Sequence, residues 1–432
     1  MKLFKLSLAA IVAAGALTSV ASAASLEEAI KNVDVSGYAR YRFDSKKTTT
    51  VAGQNTANAH RFTSDIDFKA ALDDNFFGVI GFRYDSVDAS GERAGAQTNV
   101  GVNDDGFGEY GQTFNVRQFY LGYTAGNTTV QAGRQVLGTF FTDDMVGTGI
   151  KVLNSDISGL TLAAIAFDNL QGNDGDMSTR DLVIGSNGSI EHVYDRNLYG
   201  VAAIGSYDPV SFQVWYAALD SVAQLYALDV TLGANLGGAD LSLQAQYAGS
   251  AMWANNARGQ GTTSQQVNVP NNPANNVVNV YTPGAVVPLD DAQFLAVKAG
   301  AKAFGFDGSV GYVNINTQGS GASLISLEDQ GAFITAGEDL LDYTKVGADQ
   351  SIYFVTAGYT FADKVRVGAD YVGARLDNDR AVNNYTDAYE AVARVDYKYS
   401  KKLNFKTWYS YIDRDNNEND AKHLRFEARY NF

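Results

Sequence analysis

The chain has 432 residues, no cysteine and a formal net charge of −15, because 48 Asp and Glu outnumber 33 Lys and Arg. The absence of cysteine excludes a disulfide-stapled fold. The acidic balance argues against nucleic acid as a partner, since phosphate binding needs a basic surface, and it is compatible with the attraction of cations.

Residues 1–23 have the features of a secretory signal peptide. Lys2 and Lys5 precede an apolar run over residues 6–17, and the segment ends in the small-x-small cleavage motif ASA at 21–23. No later stretch offers the roughly 18 consecutive apolar residues of a membrane-spanning helix. We therefore predict export, with cleavage taking the formal charge from −15 to −17 because two lysines are lost.

Alternation of apolar and polar residues then recurs along the chain. In the first such segment, 33–44, Tyr41 and Phe43 fall on one face while Arg40 and Arg42 fall on the other. A period of two indicates a β-strand with one apolar and one polar face. The charged faces cannot meet lipid, so we predict that they line an aqueous interior.

Eighteen segments follow this pattern, each close to the 9–11 residues with which a tilted strand crosses a bilayer. They are 33–44, 60–71, 76–86, 114–125, 128–136, 146–154, 159–168, 197–207, 211–220, 222–234, 239–251, 292–303, 306–316, 351–361, 364–376, 387–400, 402–414 and 421–432. Single-chain bacterial barrels have an even number of strands. A barrel of 16–18 strands leaves an aqueous channel, so the strand count predicts a pore.

Short and long links alternate between these segments. The long links span 87–113, 169–196, 252–291 and 317–350, and each follows an odd-numbered strand. Outer-membrane barrels have short periplasmic turns and longer external loops. We therefore expect these four links to be external loops.

The last strand ends on an aromatic residue at the chain terminus. Leu424 and Phe426 share its apolar face with Phe432. As a free edge, the strand would expose unpaired N–H and C=O groups, and pairing with the first strand removes that edge. No linker divides the chain, so we predict that residues 24–432 form one domain, an all-β transmembrane antiparallel β-barrel of 18 strands.

Spaced stretches along nearly the whole chain carry a family resemblance. They include LEEAIKNVDVSGYARYRFD (26–44), VRQFYLGYT (116–124), VGTGIKV (146–152), NLYGVAAIGSYD (197–208), LEDQG (327–331), VRVGADYV (365–372) and EAVARVDYKYSKKLNF (390–405). With these stretches, the chain resembles the Campylobacter-type major outer membrane porins of epsilonproteobacteria. The resemblance implies homotrimers in outer-membrane lipid, passive diffusion of small hydrophilic and preferentially cationic solutes, and a role as an abundant surface antigen.

Porins of this kind narrow the lumen with an inward-folded loop after the fifth strand. That loop corresponds to residues 135–145, which carry Asp143 and Asp144 beside Gly147 and Gly149. Carboxylates opposite basic residues at a constriction filter ions by sign. The candidate basic partners on inward faces are Arg40, Arg42, Arg61, Arg83 and Arg134. The alternative is that each of these charges is simply a solvated residue of the interior wall.

The resemblance also implies calcium in the pore, although no cofactor is required for diffusion. Calcium takes six to eight oxygen ligands, often from several carboxylates. The candidate ligands are Asp144, Asp174, Asp176 and Glu328.

Three other functions are alternatives to a general pore. An enzyme is not expected, because His60, His192 and His423 have no nucleophile motif around them. A substrate-specific channel would use aromatic sliding tracks, for which three scattered tryptophans are few. An adhesin acting through the external loops is compatible with a pore.

Overall fold

The fold was analysed in a computed structural model of the chain. It describes residues 33–50, 53–90, 115–142, 144–171, 182–184, 189–191, 196–253, 258–268, 277–288, 290–317, 324, 333, 336–338, 349–379, 384–415 and 420–432. The predicted signal peptide lies outside the described residues and stays a prediction.

Eighteen antiparallel strands form one closed sheet, because the first strand pairs with both the second and the last. The barrel strands are β1 (Asp34–Thr50), β2 (Gly53–Ala71), β3 (Phe76–Ser90), β4 (Asn115–Ala125), β5 (Thr128–Val136), β6 (Val146–Asn154), β7 (Leu160–Leu170), β10 (Leu198–Tyr207), β11 (Val210–Leu219), β12 (Ala223–Leu236), β13 (Ala239–Met252), β16 (Ala292–Ala303), β17 (Phe306–Thr317), β18 (Asp349–Phe361), β19 (Val365–Asp379), β20 (Asn384–Lys398), β21 (Leu403–Arg414) and β22 (Asp420–Asn431). Each of these strands overlaps one of the eighteen predicted segments. The predicted fold class, an antiparallel β-barrel of 18 strands, is therefore confirmed.

Four further strands were not predicted. They are β8 (Leu182–Ile184), β9 (Ser189–Glu191), β14 (Arg258–Asn268) and β15 (Val277–Pro288), and they form a second, four-stranded sheet. All four lie within the long links after β7 and β13, so these links carry strands of their own. No helix in the described part of the chain is long and apolar enough to span a membrane.

The barrel closes along the seam between β1 and β22. Pairing runs from Tyr38 opposite Asn431 to Thr49 opposite Asp420. Beyond the strand, the backbone N–H of Phe432 donates to the carbonyl of Gly37 at 3.1 Å. The terminal strand therefore has a partner along its whole length, as backbone groups facing lipid require.

The outward face is apolar along the whole barrel, while the inward face has two kinds of wall. On β10, Tyr199 and Val201 are about half exposed whereas Leu198 and Ile204 are buried. Buried apolar residues also line much of the inner side of β7, β11 and β12, whereas the inner side of β13 carries buried Gln246 and Ser250 beside Ala248. The inner side of β1–β4 and β19–β22 instead carries charged residues. Side chains therefore fill one sector of the barrel, and the charged sector lines the remaining lumen.

Aromatic pairs mark the short-turn end of the outer face. Phe76 lies 4.7 Å from Tyr123 between ring centroids, and Phe306 lies 4.6 Å from Tyr359. Such girdles form where a barrel meets the membrane interface. These rings therefore sit at the level of the periplasmic headgroups.

Gly37 provides a test of the close contact between β1 and β2. Its φ is +150°, and a Cβ placed there would lie 2.0 Å from the carbonyl oxygen of Asp65 on β2. Overpacking typically destabilises the folded state by about 1–3 kcal/mol. We therefore expect Gly37→Val to lower the urea concentration at which half of the barrel is unfolded. The folded fraction is measured by the mobility shift of unheated protein in SDS gels. Gly53→Val is the matched control, because Gly53 has a similar φ of +135° and a Cβ there would meet no atom within 4 Å. Equal losses in both variants would contradict the argument that Gly37 is required by the close approach of β2.

Candidate functional site

The loop between β5 and β6 folds against the inner wall of the barrel. Leu137, Phe141 and Met145 are almost completely buried. The hydroxyls of Thr139 and Thr142 lie 2.8 Å apart across the loop, which closes it into a compact turn. This is the segment that the sequence predicted to fold inward, although Asp143 lies outside the described residues.

Two glycines of β6 make room for their surroundings: Gly147 for this loop, and Gly149 for the neighbouring strand β7. A Cβ on Gly147 would lie 2.9 Å from the Leu137 side chain. A Cβ on Gly149 would lie 2.2 Å from the carbonyl oxygen of Ala166 on the neighbouring strand β7. Larger residues at these positions would push the loop and the strand away from the wall.

Asp144 fixes the end of the loop to strands β3 and β4. Its carboxylate lies 3.1 Å from the Arg83 guanidinium and 2.8 Å from that of Arg117. Arg117 also donates to the Asp144 carbonyl at 2.6 Å and to the Asp65 carboxylate at 2.7 Å. Burial would raise the pKa of Asp144, but Arg117 and Arg83 outweigh it and hold that pKa below its usual range. The carboxylate is therefore charged at neutral pH.

Sequence reasoning missed Arg117. In β4 it shares the parity of Phe119, Leu121 and Tyr123, which face outward and are exposed, so alternation predicts an outward arginine. The pairing of β3 with β4 shifts register at this point, leaving Arg117 without a partner residue on β3. Such a β-bulge re-aims a side chain, and here it turns the guanidinium into the lumen.

The five predicted basic residues have different surroundings. Arg83 alone among them contacts Asp144. Arg42 pairs with Glu427 at 2.7 Å, and Arg61 pairs with Asp85, both along the wall. Arg40 donates to the Thr63 hydroxyl at 3.3 Å, and Arg134 has no ion pair within the described residues. Three of the five arginines are therefore ion-paired, and Arg83 is the one that reaches the described part of the loop.

A second segment also enters the barrel, from the link between β17 and β18. Phe333 and Ala336 are buried, and the Lys298 ammonium donates to the Phe333 carbonyl and lies 4.8 Å from the Phe333 ring centroid. Residues 317–350 were predicted to be an external loop. Residues 333 and 336–338 of this link turn back into the barrel, where Phe333, Ala336 and the backbone contact the wall, a detail that the sequence did not predict.

Glu338 anchors this second segment by charge. Its carboxylate accepts from Arg394 on β20 at 2.9 Å, and its backbone N–H donates to Glu390 at 3.0 Å. Arg394 also pairs with Asp370 on β19. Burial raises the pKa of Glu338 despite the nearby cations Arg394 and Lys406. Glu338 therefore takes up a proton at a higher pH than Asp144 does.

The predicted calcium ligands lie mostly outside the described residues. This is true of Asp174, Asp176 and Glu328. The described candidate, Asp144, already binds two guanidinium groups, with which calcium would have to compete. Within the described part of the chain, no group of three or more His, Cys, Asp or Glu is placed to hold a metal.

Comparison with known proteins gives the family. The sequence profile of the Campylobacter major outer membrane protein matches residues 1–286 and 284–432, which together span the whole chain. The chain belongs to this family. The family resemblance seen in the sequence is thereby confirmed, and the barrel is an outer-membrane channel of the porin type.

Solved structures show the same fold. OpdQ of Pseudomonas aeruginosa is 14% identical with a TM-score of 0.63, and the match covers 94% of this chain and 99% of that chain. OccAB1 of Acinetobacter baumannii is 13% identical with a TM-score of 0.65, covering 92% and 97% respectively. At such identities the likeness concerns the fold. A search of curated proteins finds no match.

In this porin-family barrel, Asp144 should influence ion selectivity. Asp144→Asn removes one negative charge and leaves Arg83 and Arg117 partly uncompensated. The ratio of K⁺ to Cl⁻ permeability should fall by up to about five-fold, since a unit charge 4 Å away in water is worth about 1 kcal/mol. The reversal potential in a KCl gradient measures the ratio. Asp220→Asn, in the exposed turn between β11 and β12, is the control with the same charge change, and an equal effect there would contradict a role for the constriction.

The Arg394–Asp370 pair should be important for stability. The two side chains are 10% and 2% exposed, so removal of the arginine leaves a buried carboxylate uncompensated. Arg394→Met should cost about 3–5 kcal/mol. Arg375→Met is the control, because Arg375 pairs with Asp387 across the same two strands. These two side chains are 57% and 44% exposed. An exposed pair contributes about 0–1 kcal/mol to stability, so this variant should lose little. Urea unfolding followed by tryptophan fluorescence separates the two expectations.

Proposed function

We propose that the chain forms a water-filled channel through which small hydrophilic solutes and ions diffuse passively, with a preference for cations. The observation that supports this most directly is the charged sector of the inner wall, which faces two inward segments held by Asp144 and Glu338. Charged side chains at membrane depth are stable only when they face water or one another. A wetted passage between these segments satisfies that requirement.

The cation preference rests on how the charges are compensated. The arginines of the wall are largely paired: Arg42 with Glu427, Arg366 with Asp307 and Arg425 with Asp44. The field of a close ion pair falls off faster than that of a single charge, so paired arginines attract anions weakly at a distance. The net charge of the chain, −17 once the predicted signal peptide is removed, then raises the local concentration of cations around the channel.

Two related proposals come from the family resemblance. A homotrimer is expected, and the mass of the detergent-solubilised protein in light scattering would test it. Calcium binding at Asp144 is also proposed, and calcium titration of the wild-type protein against Asp144→Asn would test that ligand. A monomeric mass, or identical calcium uptake by both proteins, would contradict the respective proposal.

Substrate-specific transport along aromatic residues finds little support. Trp253, in the link after β13, is 46% exposed, but a single ring makes no track. Trp215 and Trp408 are both 2% exposed, so neither ring is available to a passing solute. Trp408 instead packs edge-on against His423 at 4.6 Å and lies 5.1 Å from the Arg425 guanidinium. These tryptophans are parts of the wall. The proposed activity includes no catalytic step.

Planar-bilayer recording tests the proposed function. Purified protein should produce ohmic conductance steps, and the reversal potential in a KCl gradient should show preference for K⁺ over Cl⁻. Acidification should weaken this preference in two stages, with Glu338 protonated before Asp144, because the pKa of Glu338 is raised and that of Asp144 is lowered. Anion preference at neutral pH would reject the electrostatic part of the proposal, and absence of conductance would reject the channel.

A further inference from the structure

A cavity of about 460 Å³ lies on the inner wall at the short-turn end of the barrel. Its lining comes from β16–β22, on the side of the lumen away from the β5–β6 loop. Six of its lining residues are basic: Lys302, Lys364, Arg366, Lys398, Lys406 and Arg429. Three are acidic: Asp307, Asp396 and Glu427. Its volume is within the range of small-molecule sites.

The three carboxylates of this cavity are already engaged. Two guanidinium nitrogens of Arg366 donate to Asp307, at 2.9 Å and 2.6 Å, and the same guanidinium lies 3.7 Å from Asp396. Glu427 pairs with Arg42, which is outside the cavity, at 2.7 Å. Two guanidinium groups thus engage all three carboxylates, which leaves one negative charge of the lining to be shared among the four lysines and Arg429.

The four lysines have no such partners. Within the described residues, none of Lys302, Lys364, Lys398 and Lys406 has an ion pair, although all line the same cavity. A fifth cation, Arg429, donates to the Asn431 side chain at 2.9 Å and stacks 3.9 Å from the Tyr38 ring, and it meets no carboxylate in the part of the chain that the structure describes. Uncompensated cations that converge on one cavity repel one another unless an anion is present.

From this arrangement we propose that the cavity binds a small polyvalent oxyanion, one that carries two or more carboxylate or phosphoryl groups. Lysine ammonium groups bind phosphate and carboxylate as point charges, and several of them match an anion of several charges better than a monovalent one. Asn404, which also lines the cavity, adds an amide donor. The site lies at the periplasmic mouth, since short turns mark that side of an outer-membrane barrel.

The site is distinct from the cation-preferring passage. The constriction is built from paired charges of β1–β5 and the β5–β6 loop, whereas the cavity is built from unpaired cations near the short turns after β16, β18 and β20. A polyvalent anion held there would neutralise the excess positive charge at the inner mouth. The overall acidic channel and a local anion site are therefore compatible.

The test is isothermal titration of the purified barrel in detergent micelles with pyrophosphate and with tricarballylate, both at fixed ionic strength. We expect one saturable site for at least one of these probes and no saturable binding of monovalent gluconate. The double variant Lys398→Gln/Lys406→Gln should weaken binding at least ten-fold. The measurement does not depend on the sign of channel selectivity, so it separates this proposal from the proposed function.

The matched control is Lys47→Gln/Lys422→Gln, which removes the same charge from two lysines that lie opposite each other on β1 and β22. Its affinity should stay within two-fold of wild type. If the strand substitutions impair folding in the gel-shift assay, Lys364→Gln serves as the second variant, because Lys364 lies in a turn, and it should weaken binding at least three-fold. Absence of saturable binding, or equal loss in the control, would overturn the proposal.

Discussion

The need to pair every backbone N–H and C=O in a medium without water governs this structure. Eighteen strands satisfy this requirement by forming a closed sheet. The closing pair is β1 with β22, which joins the two ends of the barrel sequence, with Tyr38 opposite Asn431. Once the ring is closed, each strand must send alternate side chains to lipid and to the interior. The outward leucines and tyrosines and the inward charges are both consequences of that single requirement.

The interior of the barrel is under a different constraint. Its charged side chains need partners of opposite charge, while part of the lumen stays open. Ion pairs between neighbouring strands compensate most arginines, and two inward segments add Asp144 and Glu338 where the wall is basic. Elsewhere the wall is apolar and its side chains pack together. The result is an asymmetric interior, with a dense sector and a charged one, and the proposed ion path and anion site both belong to the charged sector.

The barrel could be predicted from the sequence because alternation is a local property that repeats in each strand. All eighteen segments were found, although β1 extends to Thr50 where the prediction ended at 44, and β2 begins at Gly53 where the prediction began at 60. What alternation could not give is any feature that breaks the pattern. Arg117 points inward because β4 carries one extra residue opposite β3. This shift in register is seen only when the two strands are aligned. The burial of Phe333 and the pairing of Glu338 depend on contacts with strands far away in sequence, as do the four strands within the long links.

The two inward segments are held by contacts with the barrel wall, and this separates their positions from the sequence of the rest of the links. Asp144 and Glu338 are bound to the wall by salt bridges with Arg83, Arg117 and Arg394, so the positions of these segments are set from inside the barrel. Sequence changes in the externally exposed links leave those salt bridges intact. The links can therefore vary in sequence while the salt bridges that position the two inward segments stay the same.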